Sequence, residues 1–392
     1  MRAASASPAS RRTVLYVTGT RADFGLMRHV LAAIHAHPRL GLQLAVTGMH
    51  LSPAFGETVR EIEASGLPIV ARIATEVDAR SPAAMACGIG QMVMGLTDVL
   101  ACVRPDFMLL VGDRGEMLAG AIAALHLGIP IVHLHGGERS GTVDEPVRHA
   151  ITKLSHWHFV ATEGSRDRVI RMGERPEHVW VTGAPSLDGL DKVVDAPRAE
   201  TLAALGLEPG ARYVLVLFHP VVQQMHDAAA QAQALADALE RVAIPQGLHL
   251  LWLEPNADAG SGAILQVLDA ATARLGPRLL RCTHLTRDTY LRALRHADLL
   301  VGNSSSGIIE AASLGTPVVN IGDRQRGRER NANTWDCDVT PAAIEAALAQ
   351  ALSHGRFAPA NVYGDGHAAE RIVRLLADTP IAPDLLEKIN TY

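Results

Sequence analysis

The sequence has few cysteines, no excess of positive charge and no secretion signal, and these shortages exclude several classes of protein. It holds 4 cysteines in 392 residues, all far apart, so neither a zinc site nor a disulfide framework is predicted. The formal net charge of −5 argues against a nucleic-acid partner. We therefore expect a small ligand.

Targeting and membrane segments are also missing. Residues 1–12 are rich in Ser, Ala and Arg but lack the apolar core of a secretion signal, so we expect a disordered tail. We find no stretch long enough to span a membrane, and the cysteine usage fits a cytoplasmic protein. Neither G-x-G-x-x-G nor G-x-x-x-x-G-K-[ST] occurs, which argues against a nicotinamide-dependent dehydrogenase and a P-loop protein.

The chain does have a regular alternation of apolar runs and helical patterns. Its length of 392 residues, 48% of them hydrophobic, exceeds what one core usually organises, so two domains are predicted. Residues 13–18, 107–112 and 213–218 are apolar runs that each precede a loop and a helical pattern. This alternation predicts an α/β fold with two similar domains, each built on a parallel, doubly wound sheet.

The most informative stretch is 131–159, where a buried apolar run gives way to glycines and then to acids, bases and histidines. Glu138 follows the carboxyl end of a predicted strand, whereas His133 lies within it and is better explained as a core histidine than as a metal ligand. Asp144 is predicted to cap a helix that carries Arg148 one turn later. The two are four residues apart, so Arg148 is either half of a solvated ion pair or a site residue.

Polar side chains follow the ends of the predicted strands in both halves. Open parallel sheets bind ligands beyond the carboxyl ends of their strands, so these side chains form a candidate site in a cleft between the domains. The first half contributes Arg21, Asp23, Asp113, Arg114, His135, Glu138, Asp144 and Arg148, and the second contributes His219, Asn256, Asp258, Ser304, Ser305, Glu310 and Arg324.

Residues 302–307, Gly-Asn-Ser-Ser-Ser-Gly, stand at the entry of a helix predicted at 308–314. Open backbone N–H groups and hydroxyls beside a helix N-terminus suit a phosphate or diphosphate. Glu310, one turn into that helix, could accept hydrogen bonds from a ribose diol. The alternative is a serine that only caps an ordinary helix.

In their order along the chain, these motifs resemble those of the hydrolysing UDP-N-acetylglucosamine 2-epimerases, the branch that releases free N-acetylmannosamine for sialic-acid synthesis. The resemblance covers roughly residues 13–380. It is carried by Thr18-Gly19-Thr20-Arg21-Ala22-Asp23, Gly112-Asp113-Arg114, His135-Gly136-Gly137-Glu138, Asp144-Glu145-Pro146-Val147-Arg148-His149, Phe218-His219-Pro220, Gly302-Asn303-Ser304-Ser305 and Gly322-Asp323-Arg324-Gln325.

The resemblance implies the two-domain glycosyltransferase-B architecture, with two Rossmann-like domains facing across a cleft and UDP held mostly by the second. We expect an N-terminal domain at 13–190 that carries the acid/base residues and a C-terminal UDP-binding domain at 191–365. A C-terminal helix and tail at 366–392 are expected to pack back on the first domain. The partner implied is a UDP-sugar, no metal or nicotinamide is required, and a homodimer is expected because relatives are commonly dimers.

The implied reaction has two steps. A base removes the proton at sugar C2 while UDP leaves C1, which gives a 2-acetamidoglucal; water then adds at C1 and a proton returns to the opposite face of C2. Two proton transfers call for at least two acid/base groups. Asp113 and Asp144 match family acid/base positions. Many relatives have a third carboxylate where this chain has His135, so either His135 or the nearby Glu138 takes that role.

The other matches concern the nucleotide and the departing charge. Arg148 and His219 match family positions at the sugar and diphosphate, where cations can stabilise negative charge. Ser304, Ser305 and Glu310 match phosphate and ribose contacts. The remaining predicted UDP-sugar-binding residues are Arg21, Arg114, Asn256 and Arg324.

Three alternatives stay open at this point. The same reaction on UDP-N,N'-diacetylbacillosamine, for legionaminic acid, differs only at sugar C4 and C6. A non-catalytic UDP-sugar-binding protein would keep the cleft but not the chemistry. An inverting glycosyltransferase of the same architecture would present an acceptor site in place of the dense acid/base set on the first domain.

Overall fold

The computed structural model describes residues 11–76, 81–256 and 258–391 and contains two parallel α/β domains. Residues 1–10 of the predicted tail lie outside the described residues. Arg12, which the sequence placed in the tail, is instead the first residue of a strand, and its guanidinium donates to the carbonyls of Leu376 and Thr379. The two-domain, doubly wound fold predicted from the sequence is confirmed.

The first domain alternates strands and helices, and its strands are apolar runs that become buried on both faces. Its elements are β1 (Arg12–Thr18), α1 (Arg21–Ala36), β2 (Leu40–Thr47), α2 (Val59–Ala64), β3 (Ile69–Ile73), α3 (Pro82–Val103), β4 (Phe107–Val111), α4 (Gly115–His126), β5 (Ile131–Leu134), α5 (Asp144–Leu154), β6 (Trp157–Val160), α6 (Glu163–Arg171) and β7 (Val179–Val181). The sheet order is β3-β2-β1-β4-β5-β6-β7, and every neighbouring pair is parallel.

Two short helices lead into the second domain, which repeats the plan. The remaining elements along the chain, of which the last returns to the first domain, are α7 (Asp191–Val194), α8 (Arg198–Ala204), β8 (Tyr213–Leu217), α9 (Ala228–Val242), β9 (His249–Leu253), α10 (Ser261–Leu275), β10 (Leu279–Cys282), α11 (Arg287–His296), β11 (Leu299–Gly302), α12 (Ser305–Ile309), β12 (Val318–Ile321), β13 (Thr334–Cys337), α13 (Pro341–His354) and α14 (Ala368–Asp378). The sheet order is β10-β9-β8-β11-β12-β13, again all parallel.

The helix predicted at 308–314 differs from the structure. Helix α12 begins three residues earlier, because Ser304 caps it by accepting a hydrogen bond from the Ser306 amide. It ends at Ile309, and a separate 3-10 turn covers Ala311–Leu314. The serine run therefore forms the first turn of the helix as well as its cap.

Helix α3 corrects the expectation that no stretch is long enough to span a membrane. Its 22 residues have the length and apolar composition of a membrane span. A buried stripe that includes Met92, Leu96 and Leu100 packs into the core of the first domain. The rest of the helix is largely uncovered, and Met94 is 74% exposed. Helix α3 thus leaves an apolar face on the surface of the domain.

The C-terminal segment returns to the first domain. Helix α14 places Ile372, Val373 and Leu376 in the core around the first sheet. Beyond it, the Lys388 ammonium donates to the Thr152 carbonyl at 3.1 Å and pairs with the Glu174 carboxylate at 2.6 Å. The tail therefore fastens the carboxyl end of α5, the helix whose other end faces the cleft.

Candidate active site

A cleft of about 760 Å³ lies at the carboxyl ends of the strands of both sheets. Its wall contains every side chain that the sequence assigned to catalysis or nucleotide binding. The first domain supplies Arg21, Asp113, Arg114, His135, Glu138, Asp144 and Arg148, and the second supplies His219, Asn256, Ser304, Ser305, Glu310 and Arg324. The parallel topology explains the convergence, because it points every strand of a sheet toward the same edge.

Arg148 lies one turn into α5 and is 1% exposed. Its Nη2 donates to the carboxylate of Asp113, which follows β4, and its Nη1 donates to the Glu138 carbonyl at 2.9 Å. The hypothesis of a solvated pair between Arg148 and Asp144 is wrong, because the guanidinium is buried and its carboxylate partner is Asp113, in the turn after β4. Burial opposes ionisation of Asp113, yet Arg148 and then Arg328 outweigh it and lower the pKa of Asp113.

Asp144 is the first residue of α5, and Val143 occupies the N-cap position, so the prediction that Asp144 caps the helix is wrong. The Thr142 hydroxyl donates to the Asp144 carboxylate at 2.7 Å. Burial, followed by the charge of Asp113, raises the pKa of Asp144. Two neighbouring carboxyl groups with opposite pKa shifts can divide the roles of proton acceptor and proton donor.

His135 and Glu138 are joined side chain to side chain. His135 Nδ1 and Glu138 Oε1 are 2.5 Å apart, and Glu138 is 2% exposed. Burial, Arg328 and Arg148 hold the pKa of His135 below its ordinary value. The neutral ring then donates its Nδ1 proton to the carboxylate, which leaves Nε2 as an acceptor in the wall of the cleft. Of the two candidates, His135 is the one with an acceptor atom that no described hydrogen bond occupies.

His133 is a core histidine, as the sequence favoured. Its Nε2 contacts the Gly112 carbonyl at 2.7 Å, and its Nδ1 contacts the Thr152 hydroxyl at 3.1 Å. Burial lowers the pKa of His133 to about 3, so the ring is neutral. It links α5 to the turn that presents Asp113.

His219 follows β8 and is held through its backbone. Its backbone N–H donates to Asn303 Oδ1 at 2.8 Å, and Asn303 Nδ2 donates back to the His219 carbonyl at 2.8 Å. The backbone N–H of Asn256 donates to Nδ1 of the His219 ring at 3.3 Å. Burial, helped by Arg324, lowers the pKa of His219 to about 3. With its Nδ1 accepting a hydrogen bond, the neutral His219 ring carries its proton on Nε2 and is a hydrogen-bond donor.

A charged link crosses the cleft near the predicted nucleotide groups. Arg114 lies 3.4 Å from Glu116 and 3.4 Å from Asp258 of the second domain, and Asn256 donates to Asp258 at 2.6 Å. Arg21 at the start of α1 donates across the cleft to the Thr283 carbonyl. Both arginines thus join the two domains beside the site.

Glu310 is 1% exposed at the end of α12. Its carboxylate accepts from Arg287 and from the Ser306 hydroxyl, which also contacts Tyr290. A ribose diol entering here would share the carboxylate with Arg287. Ser304 and Ser305 line the same wall of the cleft.

Sequence reasoning missed two arginines that line the cleft. Arg328 pairs with Glu138, and Arg287 pairs with Glu310. Arg328 lies in the run Arg326-Gly-Arg-Glu-Arg330, where nothing distinguishes one arginine from the next. Arg287 opens an ordinary amphipathic helix. Their partners are distant in sequence, so no local signal could have found them.

Comparison with known proteins gives consistent matches. The family model described as UDP-N-acetylglucosamine 2-epimerase matches residues 32–377. The UDP-N,N'-diacetylbacillosamine 2-epimerase (hydrolyzing) of Legionella pneumophila is 45% identical, over 97% of this chain and 100% of that protein. The UDP-N-acetylglucosamine 2-epimerase of Neisseria meningitidis serogroup B is 33% identical, over 91% of each chain.

Solved structures share the fold. The crystal structure of UDP-GlcNAc 2-epimerase from Neisseria meningitidis bound to UDP-GlcNAc has a TM-score of 0.77 at 18% identity and covers 93% of this chain and 99% of that one. The Methanocaldococcus jannaschii UDP-GlcNAc 2-epimerase, in complex with UDP-GlcNAc and UDP, gives a TM-score of 0.77 at 17% identity over 93% and 99%.

Proposed function

Because the chain belongs to the UDP-N-acetylglucosamine 2-epimerase family, we propose that it is a hydrolysing 2-epimerase that converts UDP-N,N'-diacetylbacillosamine and water to UDP and the free sugar inverted at C2. The observation that carries the choice of substrate is the 45% identity to the Legionella enzyme over the whole chain. The UDP-N-acetylglucosamine reaction, which the motifs alone favoured, becomes the second candidate on the strength of the 33% identical relative.

The acid/base groups of the first domain suit the elimination step. The C2 proton needs an acceptor, and Asp113, whose pKa is lowered, and His135, whose Nδ1 is bound to Glu138, both line the cleft. Loss of UDP from C1 then leaves a double bond between C1 and C2, as in a glucal. Water adds at C1, and the raised pKa of Asp144 suits it to return a proton to the opposite face of C2.

The second domain suits the departing nucleotide. The hydroxyls of Ser304 and Ser305 and the Nε2–H group of His219 are donors for diphosphate oxygens, where negative charge develops as the C1–O bond breaks. Because His219 is neutral, it stabilises this charge by hydrogen bonding, and the cationic contribution comes from arginines such as Arg324. Glu310 remains the proposed ribose acceptor.

We expect the purified protein to release UDP from UDP-N,N'-diacetylbacillosamine with a kcat/KM at least about tenfold higher than from UDP-N-acetylglucosamine, since a site fitted to polar substituents discriminates strongly against analogues that lack them. The two sugars differ at C4 and C6. A coupled UDP assay with each nucleotide under identical conditions measures the ratio. Equal or better use of UDP-N-acetylglucosamine would contradict the substrate assignment. UDP binding without turnover of either nucleotide would favour a non-catalytic binding protein.

The uncovered face of α3 supports a homodimer. Ala86, Gly90 and Met94 are exposed on an apolar helix, and small side chains allow a second helix to approach closely. We expect light scattering to give twice the chain mass of 41.7 kDa, and Met94→Glu to give a monomer because it places a charge in the interface. Val362→Glu, at a 52% exposed residue of the second domain, is the control that should stay dimeric. A monomeric wild type would refute this arrangement.

A further inference from the structure

The two domains meet closely at one pair of loops beside the site. The Gly141 amide donates to the Arg324 carbonyl at 3.2 Å, and Gly327 of the second domain lies against the Arg139 side chain. A Cβ on Gly141 would lie 1.8 Å from the Asp323 carbonyl oxygen, so there is no spare room between the loops. The first-domain loop that carries Glu138 is thus seated directly on the second-domain loop 322–330.

Arg328 reaches across this contact to the Glu138 carboxylate. Its Nη1 donates to Oε2 of Glu138, while Oε1 is held by His135 at 2.5 Å. Among the described residues, the hydrogen bonds to this carboxylate come from these two side chains alone. The guanidinium is 9% exposed and the carboxylate 3%, so the ion pair is shielded from solvent. Each oxygen of Glu138 therefore has one assigned partner, one from each domain.

The backbone conformation of His135 explains why its ring needs the hydrogen bond to Glu138. His135 adopts a φ of +62°, in the left-handed region, which costs a residue with a side chain about 1 kcal/mol or more. The turn aims the ring from the end of β5 into the cleft, and the Nδ1 hydrogen bond fixes which way the ring faces. A carboxylate free to rotate would not hold that orientation, whereas one anchored by Arg328 does.

We propose that Arg328 is a positioning residue: it fixes Glu138, which orients His135 and holds the ring proton on Nδ1, so this group is assembled only when the second domain is seated on the first. The inference deepens the proposed function, on which it rests. It assigns the third acid/base position to His135 and a supporting role to Glu138. The charged groups that act on the ring are Glu138, which is hydrogen-bonded to it, the cations Arg328 and Arg148, and the carboxylates Asp113 and Glu310.

A double-mutant cycle tests the coupling. Glu138→Gln and Arg328→Met should each lower kcat by about 10²-fold, the lower end of what a positioned acid/base group contributes. The double variant should be no worse than Glu138→Gln to within about twofold, because both changes break one chain of contacts. The Kd for UDP should stay within about twofold of the wild type. Arg328→Lys should recover part of kcat by restoring a donor.

Arg326→Met is the matched control, since Arg326 lies two residues away on the same loop and is exposed. It should leave kcat unchanged. If the two losses in kcat multiplied in the double variant, the proposal would be overturned, because Glu138 and Arg328 would then act independently. An Arg328→Met variant with weaker UDP binding and normal kcat would also overturn it, since Arg328 would then serve the nucleotide.

Ring-nitrogen NMR gives a readout that needs no turnover. With 15N-histidine label and His135→Gln to assign the signal, wild-type His135 should carry its proton on Nδ1 and stay neutral from about pH 5 to 8. In Arg328→Met, removal of a positive charge should raise the pKa of His135, so that the ring gains protons toward about pH 5. If His135 in Arg328→Met kept the tautomer and the protonation of the wild type, the positioning role would be refuted. Inertness of the wild type toward both nucleotides would refute only the proposed function.

Discussion

Replacing Asp113 with asparagine is expected to lower kcat by about 10³-fold, because an amide can neither accept nor return the C2 proton. The same change leaves the buried Arg148 without its anionic partner, so the free energy of unfolding should fall by up to about 3 kcal/mol. Steady-state UDP release measures the first effect, and thermal unfolding shows that the variant is folded at the assay temperature.

Asp167→Asn provides the matched control for Asp113. Asp167 is an exposed carboxylate on α6 of the same domain, so its replacement should change neither kcat nor Tm. A folded Asp113→Asn variant that kept kcat within tenfold of the wild type would remove Asp113 from the proton transfers, and His135 would then be left as the acceptor.

Gly141→Ala is expected to lower kcat/KM by about 10²-fold or more, since a displacement of about 1 Å at a catalytic group can cost that much. The added Cβ would lie 1.8 Å from the Asp323 carbonyl oxygen, and a backbone atom cannot rotate away as a side chain can. The loops would separate, and Arg328 would lose Glu138. Neither Gly141 nor Asp323 belongs to a hydrophobic core of either domain, so Tm should change little.

Small-angle scattering with UDP present tests the cause of that loss. The Gly141→Ala variant should have a larger radius of gyration than the wild type, because its domains cannot seat fully. Gly262→Ala is the control, as a Cβ there meets nothing within 4 Å and helix α10 tolerates alanine. Wild-type activity in Gly141→Ala would mean that close seating of these loops is not required.

Much of the fold was readable because apolar runs and glycine-rich strand ends recur at regular intervals. The strands β1, β4 and β8 are continuous apolar runs, and the sequence located each to within a residue or two. The strands β6, β10 and β13 were missed: Trp157–Val160 is short and contains a histidine, and Leu279–Cys282 and Thr334–Cys337 are short, partly polar edge strands without that pattern.

The site was readable as a set of residues but not as a set of contacts. Parallel topology sends strand ends to one edge, so every residue predicted to act in catalysis or to bind the nucleotide lines the cleft. Spacing could not reveal that Arg148 pairs with Asp113, because that contact joins a helix to a turn 35 residues earlier in the chain. Nor could it show that burial keeps His219 neutral, since a pKa depends on the tertiary surroundings.

The most direct test of the account is proton and phosphorus NMR of the protein with UDP-N,N'-diacetylbacillosamine in D2O. We predict free UDP together with a free sugar that is inverted at C2 and carries deuterium there, because the C2 proton leaves and a solvent deuteron returns on the opposite face. UDP release with the C2 hydrogen and configuration retained would indicate simple hydrolysis and would contradict the account.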